Sequence, residues 1–192
     1  MARPDVVACY GSGIYWFSYP GSRTGTWSPH FLGDLNKGGS VGVGTMDGKD
    51  YVIAASSELY PNAWATGLAY YTQSVDPTQP STQHQIDPTW RAVHEINTGS
   101  FASGNLAGTP YFIVAEEEQA CTTGQPDNHP GIPCRVTLFY RSGSEFTPLQ
   151  IFDKGTQNQD VISFQSGILV AGANHGVFGG FPSLLAWRIV PQ

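Results

Sequence analysis

The sequence predicts an all-β chain: a β-propeller of four-stranded antiparallel blades, about three and a half of them in 192 residues. Three observations predict it. A four-strand unit returns along the chain, with its most apolar run first. No segment shows the 3.6-residue periodicity of an amphipathic helix. The composition is that of a turn-rich β protein, with 23 Gly, 14 Pro and 12% aromatic residues. The competing arrangement is a β-sandwich of similar strand spacing, in which regular return of a four-strand unit is less expected.

The elements follow in order. Strand A is an apolar run at Asp5 to Tyr10, Tyr51 to Ala55, Tyr111 to Ala115 and Ile168 to Ala171. Each run is short, β-branched and aromatic, and the last three follow turn residues, which is the pattern of a strand buried on both faces. Strand B follows at Ile14 to Phe17, Gly67 to Tyr71, Arg135 to Tyr140 and Leu184 to Arg188. Strand C is more polar, at Trp27 to Leu32, Thr82 to Ile86 and Phe146 to Phe152. Strand D closes each of the first three units, at Ser40 to Gly44, Val93 to Asn97 and Asp160 to Phe164. Val7, Ile53, Ile113 and Leu169 correspond, at spacings of 46, 60 and 56 residues. Such spacings are expected when loops vary and strands do not. The chain is read as one partial propeller domain, residues 1–192.

Charge narrows the partners. Nine Lys and Arg against fifteen Asp and Glu leave a net charge of -6 with no basic patch. That argues against nucleic acid and anionic membranes, and no stretch is long enough to span a bilayer. A surface poor in Lys and rich in Gly, Thr and Gln fits a secreted protein. The opening Met1-Ala2-Arg3-Pro4-Asp5 does not read as a signal peptide. The chain is therefore expected to be extracellular in origin, as a fragment or a short form. Of the three cysteines, Cys9 reads as a small buried hydrophobe. Cys121 and Cys134 bracket a Pro-rich A–B loop, either as a disulfide that clips it or as two thiols.

Strand order sorts the loops. With A running up, B down, C up and D down, the A–B and C–D loops share one face, and the B–C and D–A turns share the other. The first face gathers Glu116, Glu117, Glu118 and Gln119 with Asn174 and His175. Its C–D side adds Arg91, His94, Gln157, Asn158 and Gln159. The Pro-rich loop with His129 rises there too. Acid, amide and imidazole groups thus converge at one mouth, where propellers bind small ligands.

Several segments carry a resemblance. "GIYWFSYPG", "TWSPHFLG", "GGSVGVGTMDGKDYVIAAS" and "GNLAGTPYFIVAEEEQ" resemble blades of the FG-GAP/VCBS propeller superfamily. "VHEINTGSF", "HPGIPCRVTLFY", "GTQNQDVI" and "LVAGANHGVFGGFPSLLAW" are similar to the C-terminal half of the propeller in fungal aldos-2-ulose dehydratase-like proteins. The pattern departs from integrin-like blades in the D–A turns, which carry calcium on alternating aspartates there. Only Asp47 and Asp50 remain in the first turn, and the next two turns lack a carboxylate.

The resemblance implies a carbohydrate-active lyase that dehydrates a keto-sugar. Such a reaction needs a base, an acid and a group to stabilise an enolate. His175 and His94 are the base and acid candidates, with Glu116 and Glu118 as the second carboxylate group. Arg91 is placed to hold an anionic oxygen, and Asn174, Gln157 and Gln159 to bind sugar hydroxyls. His129 and Trp64 join them on the substrate side. A divalent ion (Mg, Ca or Zn) on Glu116, Glu118 and His175 is the one cofactor considered, with no organic cofactor. Each candidate has a plainer role open to it: a solvated glutamate run, a turn at Asn174-His175-Gly176, a histidine bonded to backbone. Trp90 is open to sugar stacking or loop packing, whereas His30, His84, Trp16, Trp27 and Trp187 read as packing or surface residues. A lectin-like propeller and a half-propeller scaffold are the alternative functions. The last unit lacks strands C and D, so closure by a second copy or another chain is expected.

Overall fold

A computed structural model describes residues 5–10, 13–34, 39–56, 67–74, 76, 79–88, 90, 93–101, 104–116, 136–152, 159–164, 167–173 and 184–189. All fourteen elements among the described residues are strands. They are β1 (Val6–Tyr10), β2 (Gly13–Ser18), β3 (Ser28–Asp34), β4 (Gly39–Met46), β5 (Lys49–Ser56), β6 (Leu68–Thr72) and β7 (Thr82–Asp87). There follow β8 (Val93–Ser100), β9 (Pro110–Glu116), β10 (Val136–Ser142), β11 (Glu145–Phe152), β12 (Gln159–Phe164), β13 (Gly167–Ala173) and β14 (Leu184–Ile189). Among the described residues no helix is long and apolar enough to cross a membrane.

The strands form four antiparallel meanders: β1-β2-β3, β4-β5-β6-β7, β8-β9-β10-β11 and β12-β13-β14. These are propeller blades, as the repeat predicted, but their phase is shifted by one strand. Each D strand pairs with the A strand that follows it, so it opens the next blade instead of closing its own. β4 pairs with β5 over its whole length, from Gly39 opposite Ser56 to Met46 opposite Lys49. The reason is local. Asp47 and Gly48 both take positive φ, 53° and 71°. That two-residue turn matches the twist of a hairpin and welds β4 to β5. The expectation that the last unit lacks two partners is corrected for one of them: β13 has both β12 and β14 beside it, whereas β14 pairs with β13 alone among the described residues.

The first strands of the blades adjoin one another: β4 lies beside β8, and β8 beside β12. Ser40 Oγ donates to Val93 O at 3.0 Å, and Thr98 Oγ1 donates to Val43 O. The two strands therefore run parallel, as inner strands around a common axis must when every blade has the same order. Gly42 makes the approach possible, since a Cβ there would meet Ile96 Cγ2 at 2.8 Å.

Strands β5 and β9 are buried on both faces, as their unbroken apolar runs predicted. Tyr51, Ile53 and Ala55 face the third blade with Phe112, Val114, Phe139 and Phe146, whereas Val52 and Ala54 face the first blade with Ile14, Leu32 and Tyr71. Tyr111, Ile113 and Ala115 occupy the opposite face of the third blade with Phe101 and Leu138. Period 2 sends alternate residues into successive blade interfaces.

The repeat extends to irregularities. In three blades the pairing of the last two strands (β2–β3, β6–β7 and β10–β11) slips by one residue, leaving Leu32, Ile86 and Ile151 as the extra residues. His30 stacks on Trp16 at 4.1 Å and His84 on Tyr70 at 4.4 Å. Their Nε2 atoms lie 3.2 Å from Ser18 Oγ and Thr72 Oγ1. In the third blade Phe139 faces Pro148 instead. Both histidines are half-buried and pack within their own blade, rather than at the surface or between blades.

Two core tyrosines are costly. The hydroxyls of Tyr51 and Tyr71 are buried with no hydrogen-bond partner among the described residues. Burial pushes both up to about 12; at Tyr71 the charges of Asp34 and Cys9 add to it, and at Tyr51 Arg141 opposes it. The folded value lies above the unfolded one near 10. Stability is therefore full below pH 10 and falls as pH rises toward 12, because the unfolded chain releases its protons first. Tyr71→Phe removes an unpartnered buried hydroxyl. It is expected to gain about 1 kcal/mol at neutral pH and to reduce the alkaline loss. Urea melts at pH 7 and pH 11 check both; an unchanged pH 11 deficit would assign that loss to other groups.

Candidate functional site

The meander topology confirms the sorting of loops. The β4–β5 and β8–β9 turns lie at one end of the blades, as do the β6–β7 and β10–β11 turns. The other end, the mouth, is where β4, β8 and β12 begin and β5, β9 and β13 finish.

The structure brings three candidates together there by their backbone positions: His94 near the start of β8, Glu116 at the end of β9, and Gln159 at the start of β12. Their surroundings break the repeat. β4 and β5 pair without interruption at the mouth, and so do β12 and β13. Between β8 and β9, Val93 faces Glu116 and Glu95 faces Ala115, so His94 is the extra residue of a β-bulge. Bulges re-aim side chains and recur beside active sites. Glu116 takes the register place held by Ser56 in the second blade and Gly172 in the fourth. A carboxylate is thus specific to the third blade at this position.

The sequence carried a signal for the bulge that periodicity reading passed over. Val93 and Ile96 are both buried yet three residues apart, where unbroken alternation would space them by two. The extra residue falls between them.

The remaining candidates, His175, Glu118, Asn174, Gln157, Arg91, His129 and Trp64, lie outside the described residues, as do Cys121 and Cys134. Cys9 is a free thiol packed against the first-blade core. Burial pushes it up to about 11, which leaves it protonated and inert at neutral pH. Trp90 is settled as packing: it is 2% exposed and meets Phe139 edge-on at 5.9 Å. Trp16 and Trp27 also pack, against His30 and Tyr19.

In the first D–A turn both aspartates have protein partners. Asp50 Oδ1 accepts from Thr45 Oγ1 at 3.0 Å. Asp47, itself exposed, reaches the half-buried Arg141 at 3.9 Å, a long contact of small energetic weight. Arg141 also lies over the Phe146 ring at 5.9 Å.

No family model matches the chain, and no curated protein matches it. Among solved structures it is similar to the crystal structure of a thermostable family-43 glycoside hydrolase, at 13% identity and a TM-score of 0.41. The match covers 90% of this chain and 64% of that one, so the chain spans less than two thirds of the hydrolase. A likeness of that degree transfers no residue role and no chemistry.

Proposed function

We propose that this chain is a carbohydrate-directed propeller whose mouth dehydrates a keto-sugar. The observation that carries the reading is the repeat-breaking bulge, which puts His94 next in register to Glu116 at the end where the inner strands begin. An imidazole and a carboxylate at neighbouring positions make a base and an acid available to one substrate.

In the proposed reaction the base, His94 or His175, removes the proton on the carbon beside the sugar carbonyl. The electron pair forms an enolate, whose oxygen Arg91 stabilises. Glu116 or Glu118 donates a proton to the hydroxyl on the next carbon, which leaves as water while the enolate electrons form the new double bond. Asn174, Gln157 and Gln159 hold ring hydroxyls, with His129 and Trp64 at the flank. A divalent ion on Glu116, Glu118 and His175 would supply Lewis-acid polarisation of the carbonyl.

The test is turnover of aldos-2-uloses by the purified chain, followed by the ultraviolet absorbance of the unsaturated ketone, with Mg, Ca or Zn added in turn. Absorbance growth that His94→Asn abolishes is the expected result. Saturable sugar binding with no absorbance change would replace this reading with that of a lectin-like module.

A further inference from the structure

The blades differ at their inner edge. β4 covers β5, β8 covers β9 and β12 covers β13. In the first blade β1 takes the place of β5 and β9, and no described residue pairs with its inner edge. The consequence is visible on β4. Val43 is 46% exposed, whereas its counterpart Thr98, one blade further on, is half-buried and lies against Gly42. On β1 itself Val6 is 48% exposed. A cavity of about 240 Å³ opens between the two blades, lined by Val7, Val43, Val52 and Tyr71, with Asp5 and Asp50 also on its wall.

We propose that this wedge is a docking groove for one extended strand of another polypeptide, which adds to the inner edge of β1 as the first strand of that blade. Strand addition to an open sheet edge obtains affinity from main-chain hydrogen bonds and specificity from alternate side chains. The blades already built dictate the chemistry of the occupant. It runs antiparallel to β1, as β4 does to β5, and parallel to β4, as β4 does to β8. Toward Val41 and Val43 it presents a small residue, because the equivalent place on β4 is Gly42, where a Cβ would strike Ile96. Its C-terminal end arrives at the start of β1, beside the exposed carboxylates of Asp5 and Asp50, and a Lys or Arg there complements both. The occupant is thus a glycine- and valine-rich strand that ends in a basic residue.

The probe is a synthetic peptide of the Gly39–Met46 sequence extended by one lysine, added to the intact chain. Saturable binding is expected, with amide exchange across Val6–Tyr10 slowed about tenfold or more. A peptide with valine at the Gly42 position should bind at least tenfold more weakly. In the protein, Val43→Glu should abolish binding without moving the urea midpoint, since Val43 is exposed. Equal binding by a scrambled peptide, or no slowing of β1 exchange, would overturn the proposal. Slowing that grows with protein concentration alone would overturn it too, by assigning the edge to a second copy of the chain. If Val43→Glu fails to fold, the two peptides still decide.

Discussion

Phe112→Ala is expected to cost about 3–5 kcal/mol of stability, the range for deleting a buried phenyl ring. Phe112 is fully buried on the central strand of the third blade. Its ring stacks on Phe139 at 4.8 Å and meets Phe146 edge-on at the same distance. Phe146 in turn touches Tyr51 and Tyr70 of the second blade. One ring therefore links the aromatic packing within the third blade to the interface with the second. The surroundings cannot collapse into the space, because strand pairing on both sides holds β9 in register. Urea denaturation followed by tryptophan fluorescence checks this, since Trp90 packs on the same Phe139. A loss below about 1 kcal/mol would mean that the blades slide together to fill the hole.

Glu116→Gln is expected to lower the turnover of a keto-sugar by about 10²–10⁴-fold, the usual contribution of a positioned general acid or base. The fold should be untouched, because Glu116 ends its strand at the mouth, one residue beyond the buried Ala115. Gln keeps the side chain's size and hydrogen-bonding reach but cannot give up a proton. The informative readout is the pH profile: the alkaline limb of kcat, where a proton donor is lost, should vanish in Glu116→Gln and persist in Glu95→Gln, its neighbour across the bulge. Equal effects of both variants on turnover would remove Glu116 from the proposed acid–base role.

Much of the architecture was legible in the residues. Strands buried on both faces announced themselves as Tyr51-Val52-Ile53-Ala54-Ala55 and Tyr111-Phe112-Ile113-Val114-Ala115, because a two-sided interface tolerates no polar alternation. Half-buried outer strands announced themselves by polarity; that His30 and His84 stack on Trp16 and Tyr70 of their own blades did not, because the partner ring lies on the neighbouring strand. The candidate mouth was legible in part. Connectivity alone sorts loops to one end or the other, and His94, Glu116 and Gln159 do share an end. Trp90 was not legible: a tryptophan between strands reads as a platform or as packing, and only its contact with Phe139 decides.

What the sequence by itself determined was the all-β class, the returning four-strand unit and the end of the blades to which each loop goes. These rest on local patterns: side-chain alternation, turn residues and strand count. What only the tertiary structure decided was where one blade stops and the next begins, the bulge at His94, and the inner edge of β1, which no described residue pairs with. Each of these is a question of which strand pairs with which, and in what register. Hydrogen bonds between main chains look alike whatever the side chains are. The phase of the blades was therefore settled by the tight Asp47-Gly48 turn, a local signal for the β4–β5 hairpin that the strand reading passed over, and by the approach of Gly42 to Ile96, which exists only once the sheets are assembled.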